Sequence, residues 1–211
     1  MKSAECGLFL YDGKHEEAQM MKIYLIRHGQ TAMNKSMALQ GRSDLPLNDA
    51  GIHQAQEAGE KFAEMGIAFD RVYSSPLIRA VQTAEYAGES DNIILDERLI
   101  EMDYGPYEGM DLRNPPEEVR LFFGDFVHRP APEGMEQLAD VTARLGDFLE
   151  EIKSGEKENV LISTHAIAMK GALEYLTPES HGSWWSKHLG NCEVYVCSTD
   201  GRCFSRPEKL F

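Results

Sequence analysis

From residue 22 onward, short apolar runs alternate with stretches whose apolar residues recur every three or four positions. Residues 22–27 (KIYLIR) predict a strand that ends at His28-Gly29. An irregular polar segment follows to Asn48, which can cap a helix carrying Ile52, Ala55, Phe62 and Met65 on one face and stopping at Gly66. Residues 70–74 predict a second strand. Ser75-Pro76 then reads as a cap and first-turn proline of a helix with Leu77, Val81 and Ala84 inward and Gly88 at its end. Residues 92–95 predict a third strand. Residues 97–133 are rich in glycine and proline and predict loops, with at most one short helix near 117–126. A long amphipathic helix carries Leu138, Val141, Leu145, Phe148 and Ile152, with Gly155 as its stop. Residues 159–164 predict a fourth strand ending in His165, and 166–176 a helix closed by Pro178. Residues 193–198 predict a last strand, which Asp200-Gly201 turns towards a short return strand.

Strands alternating with helices define an α/β fold: a three-layer α/β/α sandwich with a largely parallel central sheet. No repeat, linker or low-complexity tract divides residues 21–211, so one domain is expected there. Residues 1–20 lack the pattern and are set aside as an N-terminal extension, with Met20 and Met21 as alternative starts.

Charge narrows the function. A formal net charge of -14 opposes nucleic-acid and anionic-membrane partners, because such binding needs a basic face. A few arginines can still make one pocket locally positive. No run approaches the roughly 18 apolar residues of a membrane helix, and the apolar stretch at 7–11 is too short for a signal peptide. Cys6, Cys192, Cys197 and Cys203 show no metal-ligand spacing, which reads as reduced thiols in a cytoplasmic protein.

In open α/β sheets, ligands sit outside the carboxyl ends of the strands. His28 and His165 both occupy such ends, each followed by a small residue, Gly29 or Ala166. One histidine there is usually a hydrogen-bonded structural side chain; two at equivalent ends point to function. Arg27 beside His28, and Arg79 in the first turn of a helix leaving another strand end, oppose a divalent cation. They favour a phosphate, which guanidinium groups and helix N-termini grip.

These residues carry a resemblance. LIRHGQTAMN (25–34) resembles the RHG[EQ]T-x-x-N signature of the histidine phosphatase superfamily. QGRSDLPLNDAGIHQA (40–55), SSPLIRAVQTA (74–84), LIEMDYGPYEG (99–109), PEGMEQ (132–137), ISTHA (162–166) and LGNCEV (189–194) resemble its later blocks in order. The resemblance implies a phosphoglycerate mutase-like fold and a phosphatase that needs neither metal nor cofactor and acts on a small phosphorylated substrate. It implies His28 as the nucleophile, Arg27, Arg79 and His165 as the rest of the phosphate pocket, and Glu101 as proton donor. Thr31, Asn34 and Gln40 match positions near substrate.

Phosphoryl chemistry fits these roles. An imidazole nitrogen splits hydrolysis into two transfers, Arg27, Arg79 and a protonated His165 offset the oxygens' charge, and a carboxylic acid protonates the leaving alkoxide. Asp103 and Glu108 rival Glu101 on spacing alone. Ala166 replaces the usual glycine, Tyr107 a common tryptophan and Gln137 a common serine. Trp184-Trp185 read as a packed pair, with His181 and His188 on the surface. Two alternatives stand beside the phosphatase. One is a cofactor-dependent phosphoglycerate mutase, disfavoured by a short insert (110–132) with only the isolated arginines Arg113, Arg120 and Arg129. The other is a non-catalytic phosphate-binding module, disfavoured by the complete set of site residues.

Overall fold

The computed structural model describes residues 20–154 and 158–211. Six strands, β1 (Met21–Arg27), β2 (Arg71–Ser74), β3 (Ile93–Leu95), β4 (Asn159–Thr164), β5 (Val194–Thr199) and β6 (Glu208–Lys209), form one sheet in the order β3-β2-β4-β1-β5-β6. The first four are parallel; β5 runs antiparallel to β1 and to β6. The helices are α1 (Ala32–Ser36), α2 (Asp49–Glu64), α3 (Ile78–Gly88), α4 (Glu117–Gly124), α5 (Leu138–Ile152) and α6 (Ala166–Leu176).

The pleat explains the three layers. Along β1, Ile23 and Leu25 face α5 and α6 together with Val160 and Ile162 of β4. Tyr24 and Ile26 face the opposite layer with Val72 and Leu161, against Ala55, Ala58 and Phe62 of α2 and Ala84 and Ala87 of α3. Both sheet faces are therefore covered, which is why β1 and β4 read as near-continuous apolar runs. Phe62 is a central element of the second layer, packed edge-on to Tyr24 and Phe69; burying such a side chain contributes about 1.5–3 kcal/mol.

Several expectations shift. Asn48 caps α2 through Gly51 N–H and Gly66 follows it at φ 67°, as the sequence predicts, but Met65 is half exposed at the helix end instead of packed. Helix α3 begins two residues after Pro76, at Ile78. Asp44 Oδ1 accepts Ile78 N–H at 2.7 Å, and Ser75 Oγ accepts Leu77 N–H at 3.3 Å just before the helix. At its other end Glu89, not Gly88, takes the left-handed turn. The inward face of α3 includes Arg79 and Thr83, two polar residues that the apolar count missed, whereas Val81 is only half-buried. The polar segment before Asn48 contains the five-residue helix α1, held by a reciprocal cap between Thr31 and Asn34 and ended by Met37 at φ 61°. The N-terminal extension up to residue 19 and the Gly155 helix stop lie outside the described residues. Among those described, no helix is long and apolar enough to cross a membrane.

Candidate active site

Strands β2, β4 and β1 are adjacent and parallel, so the residues that follow them, Ser75, His165 and His28, meet at one edge. His28 N–H donates to Thr164 O at 2.9 Å and Ser75 N–H to Ser163 O at 3.0 Å, which carries the ladder one residue past the strands. The imidazole centroids of His28 and His165 stand 5.1 Å apart, and both rings are buried.

The partners of His28 define its protonation. Nδ1 lies 2.7 Å from Gly29 O, a group that only accepts, so Nδ1 carries the proton. Nε2 receives Arg79 Nε–H at 3.3 Å, so Nε2 carries the lone pair. Burial, then the charges of Arg27 and Arg79, hold this imidazole well below its ordinary pKa, against a smaller opposing effect of the Gly29 carbonyl. Gly29 must be glycine, because a Cβ there would lie 2.4 Å from Gly51 O. Its N–H is fixed by Thr83 Oγ1 at 3.0 Å.

Arg79 is fully buried, with Nη1 on Ser43 O at 2.7 Å and Nη2 on Gly41 O at 2.6 Å. The backbone N–H groups of Gly41, Arg42 and Ser43 in turn converge on the Glu108 carboxylate at 2.9 to 3.3 Å. Glu108 thus clamps the loop that aims Arg79. The first N–H groups of α3 are taken by Ser75 Oγ and Asp44, so α3 serves the site through the Arg79 side chain and not, as expected, through its bare N-terminus.

His165 Nε2 pairs with Ser75 Oγ at 2.7 Å, and its Nδ1 is buried without a partner. Burial, followed by the charge of Arg79 and smaller contributions from its other neighbours, lowers its pKa well below the ordinary value. The protonated His165 of the sequence reading is corrected: burial and the arginine charges favour the neutral ring, and because Ser75 Oγ already accepts Leu77 N–H its own proton is directed at Nε2, which leaves the ring proton on Nδ1. Ala166 does not take positive φ and simply opens α6, so replacing glycine costs nothing in the backbone.

Glu101 is buried beneath the N-terminus of α6. Its Oε1 accepts from Met102 N–H at 2.8 Å and Ala168 N–H at 3.0 Å, and its Oε2 from Ile167 N–H at 3.2 Å. Arg144 bonds the carbonyls of Arg98 and Ile100, both at 2.6 Å, and so fixes the segment that delivers Glu101. Of its rivals, Asp103 is 42% exposed and paired with Arg42, while Glu108 is occupied by the loop clamp.

Thr31, Asn34 and Gln40 come together beside this edge. Thr31 Oγ1 donates to Gln40 Oε1 at 2.6 Å, and Asn34 Oδ1 accepts Thr31 N–H at 3.2 Å. Asn191 Nδ2 donates to His28 O at 2.9 Å, a role the sequence did not assign, although Asn191 lies within the LGNCEV block. Ser75, Thr83, Glu108 and Arg144 were likewise missed as site supports, since their partners are distant in sequence. Trp184 and Trp185 are buried, with Trp184 Nε1 on Thr177 Oγ1, and His181 and His188 are exposed. Among the described residues no three histidine, cysteine or acidic side chains form a metal-ligand cluster.

Four buried side-chain atoms lack a partner among the described residues, and three of them are N–H donors here: Arg27 Nε, Gln40 Nε2 and His165 Nδ1. Arg27 also donates through Nη1 to Leu189 O. Leaving a buried donor unpaired costs about 1–3 kcal/mol, so each of these three groups would gain from a ligand acceptor.

The family model of the histidine phosphatase superfamily (branch 1) matches residues 23–206. The chain belongs to this family, and membership together with its phosphatase relatives supports phosphatase as its enzyme class. A putative phosphoserine phosphatase 2 of Hydrogenobacter thermophilus is 29% identical over 187 residues, 86% of this chain and 91% of that protein. A probable phosphoglycerate mutase GpmB of Salmonella newport is 34% identical over 159 residues, 71% of this chain and 72% of that one. Among solved structures, a mycobacterial glucosyl-3-phosphoglycerate phosphatase complexed with VO3 superposes with a TM-score of 0.78 at 25% identity, covering 89% of this chain and 97% of that one. Its fold and this one are of the same phosphoglycerate mutase-like type.

The lowered histidine pKa values have a sign that can be checked. Both rings stay neutral as pH falls through 6.5, the ordinary histidine value, whereas histidines of the unfolded chain take up protons there. Unfolding free energy therefore falls as pH drops from about 6.5 towards the native values, through excess proton binding by the unfolded state. Imidazole 15N NMR at pH 6.5 is expected to show both rings neutral, with His28 protonated on Nδ1; a charged His28 at that pH would contradict the assignment.

Proposed function

We propose that the protein hydrolyses small phosphorylated metabolites through a phosphohistidine on His28 Nε2, in the cytoplasm. Cys192 and Cys197 are free and buried, but Cys203 is disulfide-bonded, which corrects the reading of all four cysteines as reduced thiols. The observation that carries this reading is the pair of buried imidazoles 5.1 Å apart, with Arg79 on the His28 nitrogen that keeps the lone pair.

In the first transfer, Nε2 attacks phosphorus, the N–P bond forms and the ester P–O bond breaks. Arg27, Arg79 and the neutral Nδ1–H of His165 hold the equatorial oxygens, where most of the catalysis of phosphoryl transfer lies. Glu101 gives the leaving oxygen its proton. In the second transfer Glu101 takes a proton from water, whose oxygen bonds to phosphorus as the N–P bond breaks, releasing inorganic phosphate and neutral His28. Thr31, Asn34 and Gln40 line the substrate side, with Gln40 Nε2 free to donate.

The mutase reading draws on the 34% identical GpmB relative. Against it, two arginines of the 110–132 insert are exposed and engaged by neighbouring carboxylates, Arg113 by Asp111 and Arg120 by Glu117. A mutase must shield its phosphoenzyme from water. With 3-phosphoglycerate and catalytic 2,3-bisphosphoglycerate, we expect phosphate release and little 2-phosphoglycerate. Rapid interconversion of the two monophosphates without phosphate release would replace the phosphatase by a mutase.

A further inference from the structure

We propose that Glu193 is a positioning residue for Arg27, acting through the Leu189–Gly190 peptide; the proposal rests on the phosphatase reading. A trans peptide unit is planar, with its C=O and N–H pointing to opposite sides. Here both ends of one unit are used. The Gly190 N–H donates to Glu193 Oε2 at 2.8 Å, and the Leu189 carbonyl accepts from Arg27 Nη1. With its N–H tied to a carboxylate, the unit presents its carbonyl to the guanidinium in one fixed orientation. The charge-assisted bond also polarises the unit and makes that carbonyl a stronger acceptor. Arg27 is thereby held through Nη1, while its buried Nε keeps no partner among the described residues and is left for a ligand.

The carboxylate is itself held. Its Oε1 accepts from the Tyr195 hydroxyl at 3.1 Å and lies 3.3 Å from Lys209 Nζ of β6. Burial alone would raise its pKa, but the Gly190 N–H, the Tyr195 hydroxyl and Lys209 together lower it, so Glu193 is ionised at neutral pH. The turn it closes is also tied to β1 by backbone. Cys192 N–H donates to Arg27 O at 3.0 Å, and Arg27 N–H to Glu193 O at 3.2 Å. Within the turn Cys192 takes φ 54°, a left-handed conformation that a non-glycine residue keeps only where its surroundings impose it. The same relay serves the other pocket arginine. The Gly41–Arg42 peptide accepts Arg79 Nη2 at its carbonyl, at 2.6 Å, and gives its N–H to Glu108 Oε2 at 3.3 Å. Each arginine is thus aimed by one peptide unit whose far side a carboxylate secures.

The test is Glu193→Met in the full chain. Methionine keeps the length of a side chain that lines a cavity of about 200 Å³, and it removes the acceptor. Misplacing a catalytic group by about 1 Å can cost roughly 100-fold. We therefore expect kcat/KM for nitrophenyl phosphate, and inhibition by inorganic phosphate and vanadate, each to weaken by roughly 10- to 100-fold. Glu193→Gln still presents a carbonyl to the Gly190 N–H and should recover most of that loss. In an Arg27→Ala background, Glu193→Met should change kcat/KM by less than about twofold, because the relay has nothing left to aim. Unchanged anion inhibition in Glu193→Met would overturn the proposal. So would equal losses in the methionine and glutamine variants, or a full further loss in the absence of Arg27. A second measurement needs no variant to fold: in the parent protein the Gly190 amide resonance should shift when vanadate binds, since the ligand draws on Arg27 and through it on this peptide. A resonance that stays in place would overturn the relay. Failure of the parent protein to release phosphate or to bind vanadate would instead overturn the phosphatase reading, a result seen before any variant is made.

Discussion

His28→Ala is expected to remove all acid-labile, base-stable phosphate from protein quenched during turnover of a labelled substrate, and to lower turnover by roughly 10⁴- to 10⁶-fold, the scale seen when a nucleophile is deleted. The reason is local. Nδ1 is committed to Gly29 O, so Nε2 is the only nitrogen of that ring with a lone pair, and Arg79 already marks the space in front of it. His165 cannot substitute, since its Nε2 is committed to Ser75 and its Nδ1 carries the proton. The variant should still bind vanadate, because Arg27, Arg79 and His165 remain, and this separates loss of chemistry from loss of fold. Label persisting on the alanine variant would sink the assignment.

Glu101→Gln should separate substrates by their leaving groups. An alkyl phosphate expels a strongly basic alkoxide and needs a proton in the transition state, help worth about 10²- to 10⁴-fold. A nitrophenyl phosphate expels a stable phenolate and needs it far less. Glutamine can keep the carbonyl that accepts from Met102 and Ala168, so the side chain stays in place while the acid is lost. Single-turnover phosphorylation of His28 should therefore fall much more for the alkyl ester. Because the second transfer also uses Glu101, steady-state rates alone would blur the comparison. Equal fractional losses for both substrates would remove Glu101 from the role, and Asp103→Asn and Glu108→Gln would then be measured in the same way. Glu108→Gln has a different expected signature, since its carboxylate fixes the Gly41–Ser43 backbone and acts through Arg79 on both substrates alike.

Most of the fold was legible because the strands with two covered faces, β1 and β4, are apolar runs and the long helices repeat their apolar residues at helical spacing. What escaped was set by distant partners. No local signal tells that Asp44, 34 positions before Ile78, accepts the Ile78 N–H at the start of α3. Helix α1 is too short and polar for any periodicity to register. The complete burial of Arg79 depends on the loop carbonyls of Gly41 and Ser43, which no local pattern announces. The candidate site was legible in its reactive groups through ordered motifs, but its supports, Ser75, Thr83, Glu108, Arg144 and Asn191, depend on which loops meet. The state of His165 was misjudged for the same reason: its charge depends on burial beside Arg79, and burial is a property of the assembled edge.

Neighbouring strands in a sheet lie about 4.8 Å apart, and the imidazoles that follow β1 and β4 stand 5.1 Å apart. The gauge of the pocket is thus the gauge of the sheet itself, a dimension set by peptide hydrogen bonding that no loop substitution can stretch. A tetrahedral oxyanion is the cargo this aperture accepts, whatever it is esterified to.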